Sequence, residues 1–120
     1  MSVVTFPPIR QSPDDLMEVP IADLIARLDR RIRRLVDWQN MAAEMKDHTS
    51  RDRINAVMKR EFDLVQVAAT ALRARAAEVE KFAAALRLRC HPEDVRANPF
   101  IIACALMKIT QGEKYGRNKS

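Results

Sequence analysis

The chain has 120 residues, of which 48% are hydrophobic and 31% charged, with a formal net charge of +5 and only two glycines, Gly112 and Gly116. Gly-rich phosphate loops and nucleophile elbows need positive φ or close backbone approach, so a glycine-free stretch over residues 1–111 argues against nucleotide-binding and hydrolase folds. No run of 18 apolar residues occurs, which excludes a membrane-spanning helix, and the N-terminus lacks the basic-then-apolar order of a secretory signal.

The Ala, Leu, Arg, Glu and Lys content is that of an all-α protein, and the length suits one domain. Residues 1–11 read as an extended arm, with Pro7 and Pro8 favouring a polyproline path and Phe6 and Ile9 as apolar anchors. Ser12-Pro13-Asp14-Asp15 then starts a short helix over about 13–18, with a capping Ser, Pro at the first helical position and two acids in the first turn. Pro20 restarts the chain.

A first long helix is predicted over 20–47. Ile21, Ile25, Leu28, Ile32 and Leu35 recur in alternating steps of four and three, a heptad seam that Leu24, Val36, Trp38 and Met45 widen. Asp47-His48-Thr49-Ser50 forms a tight connection, with Thr49 or Ser50 as the next cap. A second helix is predicted over 51–90, pairing with the first as an antiparallel hairpin. Its seam runs through Met58, Phe62, Val65, Ala69, Leu72, Ala76, Val79, Ala83, Leu86 and Cys90, where successive alanines admit a close neighbour. A second apolar stripe through Leu64, Val67, Ala71, Ala74, Ala85 and Leu88 implies packing on two sides. Cys90-His91-Pro92 is the expected stop. Asn98-Pro99 opens a last helix over about 99–110, apolar on every side from Phe100 to Met107, with Gly112 ending it and a basic tail over 113–120.

Two surfaces emerge as candidate sites. Leu64, Val67, Ala69, Ala71, Leu72, Ala76, Val79, Ala83, Phe100, Ile101 and Leu106 form an apolar interface for a partner protein or for a second copy of the chain. Arg27, Arg30, Arg31, Arg33 and Arg34 form a basic stripe on the first long helix, suited to phosphate or to an acidic protein surface. Aromatics for base stacking are scarce there, Trp38 being the one candidate. No chemistry-bearing motif appears. Asp14-Asp15 and Glu93-Asp94 each follow a helix-opening Pro, where the helix dipole accounts for them. His48, Cys90, His91 and Cys104 lack metal-ligand spacing, so no cofactor or metal is expected, and the two cysteines fit a reducing compartment.

The expected function is therefore a non-enzymatic helical interaction protein: an adaptor, a structural subunit or a small regulator, acting as a homo-oligomer or on a protein partner. The alternative is a basic nucleic-acid-binding protein using the arginine stripe. The expected setting is cytoplasmic or within a virion or large assembly, and the high Arg and Ala content suggests a bacterial or phage origin.

Overall fold

The computed structural model describes residues 11–117, with side chains through Gly112. Most of the expected N-terminal arm and the last three residues of the tail lie outside the described residues. A 3-10 turn (Pro13–Leu16) precedes five α-helices: α1 (Ile21–Glu44), α2 (His48–Ala74), α3 (Ala76–Ala85), α4 (Pro92–Ala97) and α5 (Pro99–Arg117). No strand occurs among the described residues, and the fold is all-α.

Pro20 serves as the N-cap of α1, and its carbonyl accepts from the Leu24 N–H at 3.0 Å. The helix stops at Glu44 rather than Asp47, because Met45 turns to extended backbone (φ −76°, ψ 128°). The cap of α2 is Asp47, not Thr49 or Ser50. Its carboxylate accepts from Ser50 Oγ at 2.9 Å and from Ser50 N at 3.2 Å, and those bonds hold its pKa below the usual carboxylate range. One acidic side chain thus satisfies two donors that a hydroxyl would meet less well.

The second long helix is not continuous over 51–90. At Arg75 the backbone leaves helical geometry (φ −107°, ψ 28°), and its N–H is shared between the Ala71 and Leu72 carbonyls, each 3.1 Å away. The helix then resumes as α3, which ends at Ala85 instead of Cys90. There the Leu88 N–H bonds to the Ala83 carbonyl and the Arg87 N–H to the Ala84 carbonyl, both at 2.9 Å, with Arg87 at φ 62°. This is a Schellman closure in which arginine occupies the left-handed position that glycine usually takes. Conversely, α5 runs through Gly112, the expected stop. A Cβ at that exposed position would meet nothing within 4 Å, so no contact there calls for glycine.

The core gathers the inner faces of all five helices. Leu24, Ile25 and Leu28 of α1 meet Val65, Ala68, Ala69, Ala71 and Leu72 of α2, with Ala76, Val79 and Ala83 of α3, Val95 of α4, and Ala103 and Leu106 of α5. Alanine forms much of the α2–α3 face, and small side chains let neighbouring backbones come near. Between α1 and α2 the partly buried pair Arg31–Glu61 spans 3.1 Å and links the two helices. Phe62, expected on the seam, is half-exposed at the flank of the face defined by Ile54, Val65 and Leu72. Arg73 ties α2 to the end of α4 through Nε to the Arg96 carbonyl at 3.1 Å, and its guanidinium lies 6.0 Å from the Phe100 ring centroid.

Arg75 is 6% exposed and reaches back across the chain. Its Nη1 donates to the Leu16 carbonyl at 3.0 Å and to the Val19 carbonyl, while Nε and Nη2 grip the Glu78 carboxylate at 2.5 and 3.0 Å. One guanidinium therefore anchors the N-terminal turn and opens α3. Arg75→Met keeps the apolar stem but leaves two inward carbonyls without a donor, so it should cost about 2–4 kcal/mol. Glu78 is half-exposed, and Glu78→Gln should cost no more than about 1 kcal/mol. Urea denaturation of both variants checks this, and equal losses would contradict the anchoring role. Arg87→Gly should instead stabilise the chain by about 1 kcal/mol, by relieving the left-handed backbone, read as a higher melting temperature.

Candidate functional site

Most of the residues that the sequence suggests for an apolar interface are in the core of the single chain. Ala69, Ala71, Leu72, Ala76, Val79, Ala83 and Leu106 are buried by its own helices, and Leu64 and Val67 are partly buried. Their apolar character is already used within the chain, because α4 packs on α2 and α3 and α5 packs on α2, leaving Ala74 and Ala85 of the second stripe exposed. Phe100 and Ile101 differ. They begin the outer face of α5, where Ile101 is 66% exposed and Ala105 is also exposed, while Ala103 and Leu106 point inward.

That outer face adjoins α1. On α5 the residues Ile101, Cys104, Ala105 and Lys108 follow i, i+3, i+4, i+7 spacing and so share one side of the helix. On α1, Asp29, Ile32, Arg33 and Val36 do the same, and Val36 is 48% exposed. Two open cavities of about 420 and 530 Å³ lie along the boundary and share Ile32, Cys104 and Lys108 as lining. Together they form one shallow apolar groove with polar groups along its edge.

Asp29 gives the groove its distinctive electrostatics. It is 2% exposed, yet it lines the groove wall. Its Oδ2 pairs with Arg33 Nε at 3.0 Å, while Oδ1 is buried with no hydrogen-bond partner among the described residues. A buried carboxylate oxygen without a donor costs on the order of 1–3 kcal/mol, a cost that the apolar packing around it has to offset. Across from Asp29, the Cys104 thiol is pushed above its ordinary pKa, first by burial, then by the negative charge of Asp29 and by its own hydrogen bond to that carboxylate, with Arg33 and Lys108 opposing. Cys104 is therefore a protonated, poorly nucleophilic thiol at neutral pH. Cys90 is likewise raised, first by burial.

Read from the sequence, Asp29 only interrupts a run of arginines. Its position between Ile25 and Ile32, at steps of four and three, places a carboxylate inside an apolar row, and that is the signal available beforehand.

The arginine stripe divides. Arg27, Arg30, Arg31 and Arg34 line a small cleft of about 130 Å³ on one side of α1, whereas Arg33 turns to Asp29 and the groove. Arg31 is engaged by Glu61, and among the described residues Arg27, Arg30 and Arg34 make no ion pair. Trp38 is only partly exposed. Cys90 and His91 line a further open cavity with Glu80 and Leu88, but no group of three or more His, Cys, Asp or Glu side chains among the described residues is placed to hold a metal ion. No helix among the described residues is long and apolar enough to cross a membrane.

Comparison with known protein families, curated proteins and solved structures finds no match for the chain.

The Asp29–Cys104 arrangement makes a chemical prediction. Asp29→Asn removes the charge that disfavours the thiolate, so the Cys104 pKa falls and more thiolate is present at pH 8. In a Cys90→Ser background, iodoacetamide should then alkylate Cys104 faster than it does with Asp29 intact. An unchanged rate would mean that the carboxylate does not act on this thiol.

Proposed function

We propose that the protein is a non-enzymatic helical interaction module that docks through the face shared by α1 and α5. The observation that supports this most strongly is Ile101, a large apolar side chain 66% exposed at the head of a helix whose other side is core. Val36 and the partly buried Ile32, Phe100 and Cys104 extend the same surface. Contiguous apolar surface beside a polar edge is the usual form of a protein-binding patch. In this reading the heptad-spaced residues of α1, α2 and α3 serve packing inside the chain, and association is left to the outer side of α5. Adaptor, structural subunit and small regulator are all roles that such a surface can fill.

A second reading, nucleic-acid binding, is favoured by the cleft of Arg27, Arg30, Arg31 and Arg34, three of which lack an ion-pair partner among the described residues. Phosphate contacts weaken steeply with salt, whereas apolar docking does not. The two readings are separated by capturing partners from the native host with wild type, Ile101→Asp and the triple variant Arg27→Gln, Arg30→Gln, Arg34→Gln. Proteins identified by mass spectrometry with wild type and the triple variant but absent with Ile101→Asp are the expected result. Duplex binding at about 150 mM salt that is lost in the triple variant and kept in Ile101→Asp would favour the second reading.

A further inference from the structure

We propose that the cleft formed by Arg27, Arg30, Arg31 and Arg34 on α1 binds one compact, multiply charged phosphate group of the phosphomonoester or pyrophosphate class. This site is separate from the α1/α5 face and does not depend on docking there.

Only arginines line the cleft. Four guanidinium groups at i, i+3, i+4 and i+7 surround it, and no carboxylate joins them. Like charges one turn apart on a helix repel one another, so an anion held between them relieves a strain of the folded chain. The acids nearest along α1 do not supply that relief. Asp29 pairs with Arg33 on the groove side, and Asp23 and Asp37 make no ion pair among the described residues. Other arginines of the chain are matched from within: Arg73 by the Arg96 carbonyl and Arg75 by Glu78 and two carbonyls. Arg27, Arg30 and Arg34 are exposed and have no such partner among the described residues.

One of the four is already held in place. Glu61 of α2 is 8% exposed, and its Oε1 accepts from Arg31 Nη1 at 3.1 Å. A carboxylate on the neighbouring helix thus keeps the Arg31 guanidinium at the wall of the cleft, with its other N–H groups left for a ligand. The pairing offsets one of four charges, so a local positive excess remains. A guanidinium fork meets two oxygens of one phosphate at once, which a point cation cannot do.

Size and charge together select the ligand. The cleft of about 130 Å³ is smaller than the roughly 300–1,000 Å³ of sites that enclose a drug-sized molecule. It therefore takes a single oxyanion group and leaves the rest of a ligand outside. A phosphodiester brings one negative charge to that space, whereas a monoester brings about 1.5 to 2. Three uncompensated guanidiniums favour the more highly charged group. No aromatic side chain lines the cleft to stack a base, so recognition rests on the phosphate itself.

Isothermal titration of the full chain with sodium pyrophosphate in about 50 mM NaCl tests the assignment. One pyrophosphate per chain with a Kd below about 1 mM is expected, along with a higher melting temperature than NaCl of equal ionic strength produces. The triple variant Arg27→Gln, Arg30→Gln, Arg34→Gln should weaken binding roughly tenfold or more. Lys59→Gln, Lys81→Gln, Arg89→Gln removes the same charge from exposed positions elsewhere and should weaken it by no more than about twofold. The role of Glu61 is read from Glu61→Met and Glu61→Gln, which both lose the negative charge while only glutamine can still accept from Arg31. Glu61→Gln should bind pyrophosphate about threefold more tightly than Glu61→Met, with melts confirming that both fold. Equal affinities would overturn the holding of Arg31. Vesicles of phosphatidylcholine with and without phosphatidic acid distinguish the sources of the group. Capture on phosphatidic acid that pyrophosphate competes away places the monoester on a lipid, and pyrophosphate binding without capture makes the ligand soluble. No saturable binding, or equal losses in the two triple variants, would overturn the site and leave a solvated basic face. Duplex DNA bound more tightly than pyrophosphate at about 150 mM salt, and lost in the arginine variant, would overturn it in favour of nucleic acid.

Discussion

The guanidinium of Arg75 holds together three parts of the chain that are far apart in sequence. Removing an arginine from water is costly unless all its directions are satisfied, and here they are met by two main-chain carbonyls and a bidentate carboxylate. The carbonyls come from the N-terminal turn and the carboxylate from the first turn of α3. The position of Leu16 in the core, the bend between α2 and α3, and the start of α3 are therefore consequences of the same group. The bend in turn directs α3 toward α4, and α4 with Arg73 sets where α5 begins. The outer face of α5 is thus several steps downstream of one buried cation.

The all-α class was legible from composition and from the three-and-four spacing of apolar residues, and so were α1 and α5, whereas α2 and α3 read as one helix and α4 as part of its stop. Capping at Pro20, Pro92 and Pro99 was also legible, because proline fixes φ and marks the first helical positions. The interior breaks were not. Arg75 stands between Ala74 and Ala76, in a stretch of strong helix formers, and nothing local says that its side chain will be drawn inward to the turn before α1. The end of α3 was hidden for a related reason. Arg87 takes a left-handed conformation that sequence reading assigns to glycine, so the stop was sought at Pro92. Both failures involve an arginine whose long-range or backbone role overrides its helical propensity.

The candidate site divides in the same way. Phe100 and Ile101 were visible as apolar residues at the head of a short helix. That one side of this helix would be core and the other open depends on where α1 passes, which is tertiary information. The alanine row of α2 and α3 looked like an interface because it has two apolar sides, yet the chain folds back over the first and part of the second, with Ala74 and Ala85 left exposed. Charge runs are usually solvated, yet the Asp29 carboxylate lies inward, at its place between Ile25 and Ile32, while it pairs locally with Arg33.

The pairing of α1 with α2 extends well past the region that the other helices cover. From Val36 through Met58 only Ile54 is buried, whereas the opposite end carries nearly all of the core. Few apolar contacts hold a segment of this kind, so its free energy of opening is small compared with that of the whole domain. Amide exchange should accordingly run as a gradient along both helices, fastest around the Met45–Asp47 link and slowest near Leu28 and Leu72. The chain then behaves as a rigid base carrying a breathing tip, and the methionines Met41, Met45 and Met58 sit at the soft end, where unbranched thioethers adapt to whatever shape approaches them.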